Sequence, residues 1–304
     1  MKSSFSTLIV PQHIFALVFI VLLTSCGGSN LSPNQLFQIS VNNGKTELAN
    51  GSETSLVLKN KKNKKITSVS YALNNIPIQL NNNVFILQTN KLGKQELSAT
   101  ISFNDEQVTI TKQITVLAKN APKVYTYAIK NSFPHDIKAF TQGLEFKNDL
   151  LYESTGKPGF SSLRKVNYTT GEVLQQTNLD ASYFGEGITA LDSTIYMLTW
   201  QNNVGFTFDA TTLKQKKTFN YNKSKEGWGL CNDGEYIYKS DGTEKIWKLD
   251  PVTLEEVDHI EVYTNKSKLV KLNELEFVNG KIFANTWQFN KEVAVIIDPD
   301  TGAV

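Results

Sequence analysis

Residues 142–283 repeat themselves. Gln142-Gly143-Leu144-Glu145-Phe146 precedes Leu150-Leu151-Tyr152, and Glu186-Gly187-Ile188-Thr189-Ala190 precedes Ile195-Tyr196. Trp228-Gly229-Leu230-Cys231 then precedes Tyr236-Ile237-Tyr238, and Asn273-Glu274-Leu275-Glu276-Phe277 precedes Ile282-Phe283. These pairs recur at steps of 44, 42 and 45 residues. A second marker, Asn167…Thr170-Gly171, Asp209…Thr212-Leu213, Asp250…Thr253-Leu254 and Asp298…Thr301-Gly302, recurs at steps of 42, 41 and 48. Repeats of this length built from short apolar segments are those of four-stranded propeller blades, which bury their faces only by stacking around a channel. In the Asp-x-x-Thr-Gly/Leu marker a short polar side chain caps its own backbone, which makes it a turn between strands. Superposed blades bring Gln142, Glu186, Trp228 and Asn273 to one equivalent position, so four residues distant in sequence converge on one opening.

Within that register, Tyr183-Phe184-Gly185-Glu186-Gly187-Ile188-Thr189 sets a carboxylate between two glycines, just after an aromatic ring. Glycine permits close backbone approach and leaves Glu186 clear of its neighbours. Burial beside Phe184 predicts a raised pKa, because desolvation penalises the charged form. The competing reading of Gly-Glu-Gly is a solvated turn.

Upstream of the repeats the chain has a different character. Residues 1–26 read as a lipoprotein signal peptide: Lys2, an apolar run from Ile14 to Leu23, then Leu23-Thr24-Ser25-Cys26-Gly27, similar to a bacterial lipobox with Cys26 as the lipidated residue. Anchoring at Cys26 predicts attachment to a membrane in the bacterial cell envelope, facing the periplasm or the cell surface. Residues 27–35 are rich in Gly, Ser and Asn and read as a tether. From 36 to 119, alternating segments such as Ser55–Leu58, Thr67–Tyr71, Val84–Leu87 and Leu97–Phe103 recur between Asn/Gly turns, the pattern of a small β-sandwich of generic Ig-like type. Asn120-Ala121-Pro122 forms a linker, and 123–304 form the propeller. Val124–Ala128 reads as an outer strand whose sheet lies elsewhere, and the chain ends on a turn marker, which predicts a propeller short by about one blade.

Several chemistries are excluded. The two cysteines, Cys26 and Cys231, leave no disulfide framework once Cys26 is lipidated. His135 and His259 lack the spacing of zinc ligands. No phosphate-binding glycine loop or Ser/His/Asp arrangement occurs, and a net charge of +2 gives no nucleic-acid signal.

Nine segments, in order, carry a family resemblance: Phe140–Leu144, Leu151–Gly156, Ser161–Arg164, Phe184–Thr189, Leu198–Trp200, Glu226–Leu230, Ser240–Gly242, Leu272–Glu276 and Ala284–Trp287. Over roughly 127–304 the chain resembles the glutamine cyclotransferases of plants and bacteria. The resemblance implies a five-bladed β-propeller, of which the repeat count gives about four blades here; with the Ig-like β-sandwich read from the alternation of 36–119, the chain is expected to be all-β. The resemblance implies cyclisation of N-terminal glutamine to pyroglutamate with release of ammonia, no cofactor and no metal, on peptides or proteins bearing that residue. Glu186 corresponds to the family's catalytic glutamate, and Phe140, Gln142, Phe184, Trp200, Trp228, Asn273 and Trp287 to its pocket. The family's lysine in a Thr-Gly-Lys-x-Trp-Pro-like stretch has no counterpart here.

The residue types suit that chemistry independently. One carboxylate can take a proton from the attacking amine and return it to the leaving nitrogen. Amide side chains at 142 and 273 can hold a developing oxyanion, and indole faces can bind an ammonium and a curled stem. Glu274 is read as either a pocket residue or a partner of a neighbouring blade's backbone. Trp247 reads as core, Cys231 as a small buried side chain, and Arg164 and Asp241 as hydrogen-bonding residues within blades. The alternative to catalysis is a lipid-anchored propeller that binds peptides without turnover.

Overall fold

In the computed structural model, which describes residues 31–287 and 293–304, strand alternation is visible directly in burial. Gly93–Phe103 turns Leu97, Ala99, Ile101 and Phe103 inward and alternate residues outward, as a half-buried strand must. It pairs in long antiparallel register with Glu106–Leu117 and, on its other edge, with Ile66–Leu73. Glu47–Ala49 and Ile76–Ile78 complete a five-stranded sheet. A three-stranded sheet of Phe37–Val41, Glu53–Asn60 and Val84–Ile86 faces it, and Phe37, Ile39, Val41, Leu56 and Phe85 close one core with Leu97, Ile101, Phe103 and Ile114. The first part of the chain is thus a two-sheet sandwich.

Four further sheets follow in sequence order, each built by antiparallel neighbours. The first blade comprises Thr141–Lys147, Leu150–Thr155, Ser162–Asn167 and Glu172–Asn178. The second comprises Gly185–Leu191, Thr194–Thr199, Val204–Asp209 and Gln215–Asn220. Leu230–Asn232, Ile237–Ser240, Lys245–Leu249 and Glu256–Glu261 form the third, and Leu272–Val278, Lys281–Thr286 and Ala294–Ile297 the strands described in the fourth. The first strand of each blade lies innermost, beside its counterparts. Apolar clusters fill the seams between blades: Tyr152, Leu163, Ile188, Met197 and Phe206 in one, Leu198, Tyr221, Leu230, Ile237 and Trp247 in another, and Tyr238, Ile246, Leu275, Ile282 and Ala284 in a third. Fully burying a Leu, Ile or Phe contributes about 1.5–3 kcal/mol, so seam packing is the main force holding the ring of blades.

The turn markers behave as their chemistry requires. Asp209, Asp250 and Asp298 each accept backbone N–H bonds from the residues two and three ahead; those bonds are the main cause of the lowered pKa of Asp209 and Asp250, while at Asp298 the Lys281 ammonium and the Thr301 hydroxyl outweigh burial and lower it more than the backbone does. Each turn ends on a residue in the left-handed region, Leu213, Leu254 or Gly302. Trp247 is buried core, with its Nε1–H on Asp241 at 2.8 Å, and Arg164 bonds within its own blade.

Two findings differ from the sequence reading. Val124–Ala128 pairs with no strand among the described residues, and Val124 and Tyr127 are 96% and 90% exposed. An alternating pattern supplies a strand's faces but not the edge it must meet. The sandwich and propeller are also joined more closely than a linker suggests. Tyr263 is buried in the sandwich core, Leu92 N–H donates to the Thr301 carbonyl at 2.9 Å, Ala118 N–H to the Thr264 carbonyl at 3.2 Å, and Lys91 pairs with Asp258 at 2.5 Å. The segment read from the sequence as a signal peptide, with Cys26, lies outside the described residues.

Candidate active site

The site forms where inner strands begin and second strands end, since antiparallel pairing puts these at one edge of every blade. Phe140 and Phe184 immediately precede inner strands, and Trp200 and Trp287 immediately follow second strands. The rings meet edge to face: Phe140 on Phe184 at 6.1 Å, Phe184 on Trp200 at 5.7 Å, and Trp228 on Trp287 at 5.9 Å between centroids. Gly156 occupies the first blade's equivalent of Trp200, and a Cβ there would sit 2.5 Å from the Phe184 ring, so the missing side chain is what lets Phe184 lie in place. Cations cap two of the rings, Lys157 Nζ at 4.4 Å from the Phe140 centroid and Lys271 Nζ at 5.5 Å from that of Trp287.

Register explains how the polar residues reach this opening. The inner-strand ladder shifts at Gln142, again at Glu186-Gly187, and again at Asn273-Glu274. Bulges re-aim side chains beside active sites, and here one recurs at the same place in three blades. Gln142 and Asn273 are half-buried at the opening, while Glu186 is only 7% exposed. Burial, reinforced by the Glu226 charge, pushes the Glu186 carboxyl up to about 9 from its ordinary value of 4.5. Burial first, and then the Glu186 charge, hold Glu274 well above the usual carboxylate range, and burial raises Glu145 to about 7.

Glu274 stands where the other three blades carry Gly143, Gly187 and Gly229. A Cβ at Gly187 would lie 2.6 Å from Glu274 Oε2 and from the Gly229 Cα, and one at Gly143 would lie 3.1 Å from Glu274 Oε1. The carboxyl therefore fills the space the glycines leave on the axis. Among the described residues neither of its buried oxygens has a partner in full hydrogen-bond geometry, and the nearby Leu144 N–H offsets the burial only weakly. Of the sequence-derived site residues, the structure brings Phe140, Gln142, Phe184, Glu186, Trp200, Trp228, Asn273 and Trp287 to one edge and sets Glu274 on the axis between the glycines.

A family model described as Glutamine cyclotransferase matches residues 99–304. The chain belongs to the glutamine cyclotransferase family. A glutaminyl-peptide cyclotransferase of Arabidopsis thaliana is 42% identical over 173 residues, covering 57% of this chain and 53% of its own length. The chain thus spans about half the length of that curated relative. The crystal structure of Myxococcus xanthus glutaminyl cyclase superposes with a TM-score of 0.52 at 31% identity, over 57% of this chain and 71% of that one. The opening also contains a carboxylate, Glu226, that begins one of the nine resembling segments but has no role assigned from the sequence. Glu226 bonds both Trp200 and Trp228, and its place two residues before Trp228 was the available signal, since residues i and i+2 of an extended segment share a face.

Proposed function

We propose that this chain cyclises N-terminal glutamine of peptides or proteins to pyroglutamate with release of ammonia, Glu186 carrying the proton. The observation that supports this reading most is a buried carboxyl raised to about 9 on an inner-strand bulge, among aromatic rings suited to a flat-sided stem and an ammonium. Because burial raises its proton affinity, Glu186 can hold a proton while the α-amine, whose ammonium ordinarily ionises at about 7.7–8.0, attacks as a neutral nucleophile. The amine nitrogen attacks the side-chain amide carbon, and Gln142 and Asn273 supply amide donors for the oxygen as it gains charge. Glu186 gives its proton to the amide nitrogen, the carbon–nitrogen bond breaks and ammonia leaves. The carboxylate then takes the proton shed by the new ring nitrogen, which restores the starting state. No metal enters these steps, and chelator is expected to leave the rate unchanged.

The test is ammonia release from Gln-Ala dipeptide. Glu186→Gln keeps the side chain's shape and removes its proton transfer, so turnover should fall at least about 10²- to 10⁴-fold while the dipeptide still binds. Retention of most of the rate would move the role to another carboxylate, and binding without ammonia release by the wild type would make this a peptide-binding propeller. We also propose that Cys26 is lipidated and holds the protein at the cell envelope. Cys26→Ser should then release it from the membrane fraction after a salt wash, and retention there would refute the anchor.

A further inference from the structure

Trp200 and Trp228 come from different blades, yet their indoles end on one atom. Glu226 Oε2 accepts the Nε1–H of Trp200 at 2.9 Å and that of Trp228 at 2.9 Å, and Oε1 accepts Gln201 Nε2 at 3.1 Å. An indole has a single donor and no acceptor, so its rotation is fixed polar-end first by whatever accepts that proton. Hydrogen bonds to an ionised acceptor are also about twice as strong as neutral ones.

Glu226 is itself held from beneath. Its backbone carbonyl accepts Lys239 Nζ at 2.7 Å, and Lys239 is fully buried, pairs with Glu256 Oε1 at 3.1 Å and donates to Ser224 Oγ. Glu256 Oε2 in turn accepts the backbone N–H groups of Lys223 at 2.6 Å and Ser224 at 2.8 Å. Gly227 N–H donates to the Trp200 carbonyl at 3.1 Å, and Trp200 N–H to the Phe184 carbonyl at 3.0 Å. A buried ion pair thus pins the segment 223–226, that segment presents a carboxylate, and the carboxylate fixes two indoles.

We propose that Glu226 is a positioning residue of the cyclisation site, a clamp that orients the Trp200 and Trp228 faces on the glutaminyl stem and sets a carboxylate charge beside Glu186. The proposal rests on the cyclotransferase reading above and adds a residue to it. The titratable groups coupled to Glu186 are Glu226, Glu274 on the axis and Tyr221 from the seam behind, while Lys239 lies near Glu226. Burial contributes most to the raised Glu186 carboxyl and the Glu226 charge adds to it, so removing that charge lowers the pH at which Glu186 ionises. Orientation and proton affinity are therefore two separable consequences of one side chain.

Two variants separate them. Glu226→Gln keeps a carbonyl oxygen able to accept the indoles but loses the charge: the alkaline limb of kcat/KM for Gln-Ala should move down by on the order of one pH unit, with KM near the wild-type value. Glu226→Ala loses the acceptor of both indoles: KM should rise about tenfold, the equivalent of about 1.4 kcal/mol. A purely structural role would lower the melting temperature of both and leave the limb in place. Two readouts need no turnover. In ¹⁵N-labelled protein the Nε1–H resonances of Trp200 and Trp228 should shift in Glu226→Ala while that of Trp247, which bonds Asp241, stays. The Glu186 side chain, followed by ¹³C NMR, should titrate lower in Glu226→Gln. Unmoved indole resonances, or an unchanged Glu186 titration in a folded variant, overturn the proposal. A wild type that releases no ammonia overturns the functional reading instead, and the NMR arms still decide the clamp.

Discussion

Replacing Glu186 with Gln should make the protein more stable at neutral pH while silencing it. In the folded state the Glu186 carboxyl is raised to about 9 from an ordinary 4.5, chiefly by burial. Between those values the native state holds a proton that the unfolded state has released, so stability falls as pH rises. The fall begins near pH 4.5 and ends near pH 9. Each pH unit is worth about 1.4 kcal/mol, and the interval from 4.5 to 7 therefore costs about 3 kcal/mol. Gln presents the same shape without that titration and removes the cost. Glu145, Glu274 and Glu276 are raised as well, chiefly by burial, and tilt the profile in the same direction in both proteins; the difference between wild type and variant therefore reads Glu186 together with the smaller part of the Glu274 rise that the Glu186 charge causes. The assay is urea unfolding of both proteins at intervals from pH 5 to pH 9. The variant should gain about 2–3 kcal/mol by pH 7, and the gap should close towards pH 5. Parallel profiles would refute the reasoning and show that Glu186 is hydrated in the folded protein. The outcome expected is a trade of stability for activity, since the groups that carry reactions are often those a fold holds at a cost.

Other perturbations test other links of the argument. Gly187→Ala should lower stability by about 1–3 kcal/mol and reduce turnover, because its Cβ would lie 2.6 Å from the Gly229 Cα and the Trp228 carbonyl, which are backbone atoms and cannot rotate away; an unchanged urea midpoint would contradict the close packing of the axis. Lys239→Met leaves Glu256 buried without its partner and should cost about 3–5 kcal/mol, while Lys239→Met with Glu256→Gln should recover part of it; a double variant no more stable than the single would argue against the ion pair. At the joint between sandwich and blades, Lys91→Ala removes an exposed pair and should cost at most about 1 kcal/mol. Gly93→Ala should cost more, both read by urea unfolding, because Gly93 has φ +88° and its Cβ would lie 2.8 Å from the Glu261 Cβ.

The sequence by itself determined what local chemistry can write. Asp209, Asp250 and Asp298 cap their own turns, so the turn markers and the blade period are legible from residues within a few positions of one another. Blade period then superposes Gln142, Glu186, Trp228 and Asn273, and the family's ordered motifs add the aromatic rings. Alternation likewise gave the faces of Gly93–Phe103. Only the tertiary structure decided the rest, because it depends on groups that meet from different blades. Gly143 and Gly187 make room for the Glu274 carboxyl from the fourth blade and Gly229 for its backbone, and nothing local to Glu274 says whether it faces a pocket, a backbone or the axis. Tyr263 reads as an ordinary strand aromatic until the sandwich closes over it. Val124–Ala128 has the pattern of a strand without one, since a strand is defined by its partner. Glu226 shows the limit most clearly. Its bond to Trp228 spans two residues and could be inferred, but its bond to Trp200 spans 26 and exists only because two blades stack with their edges at one opening.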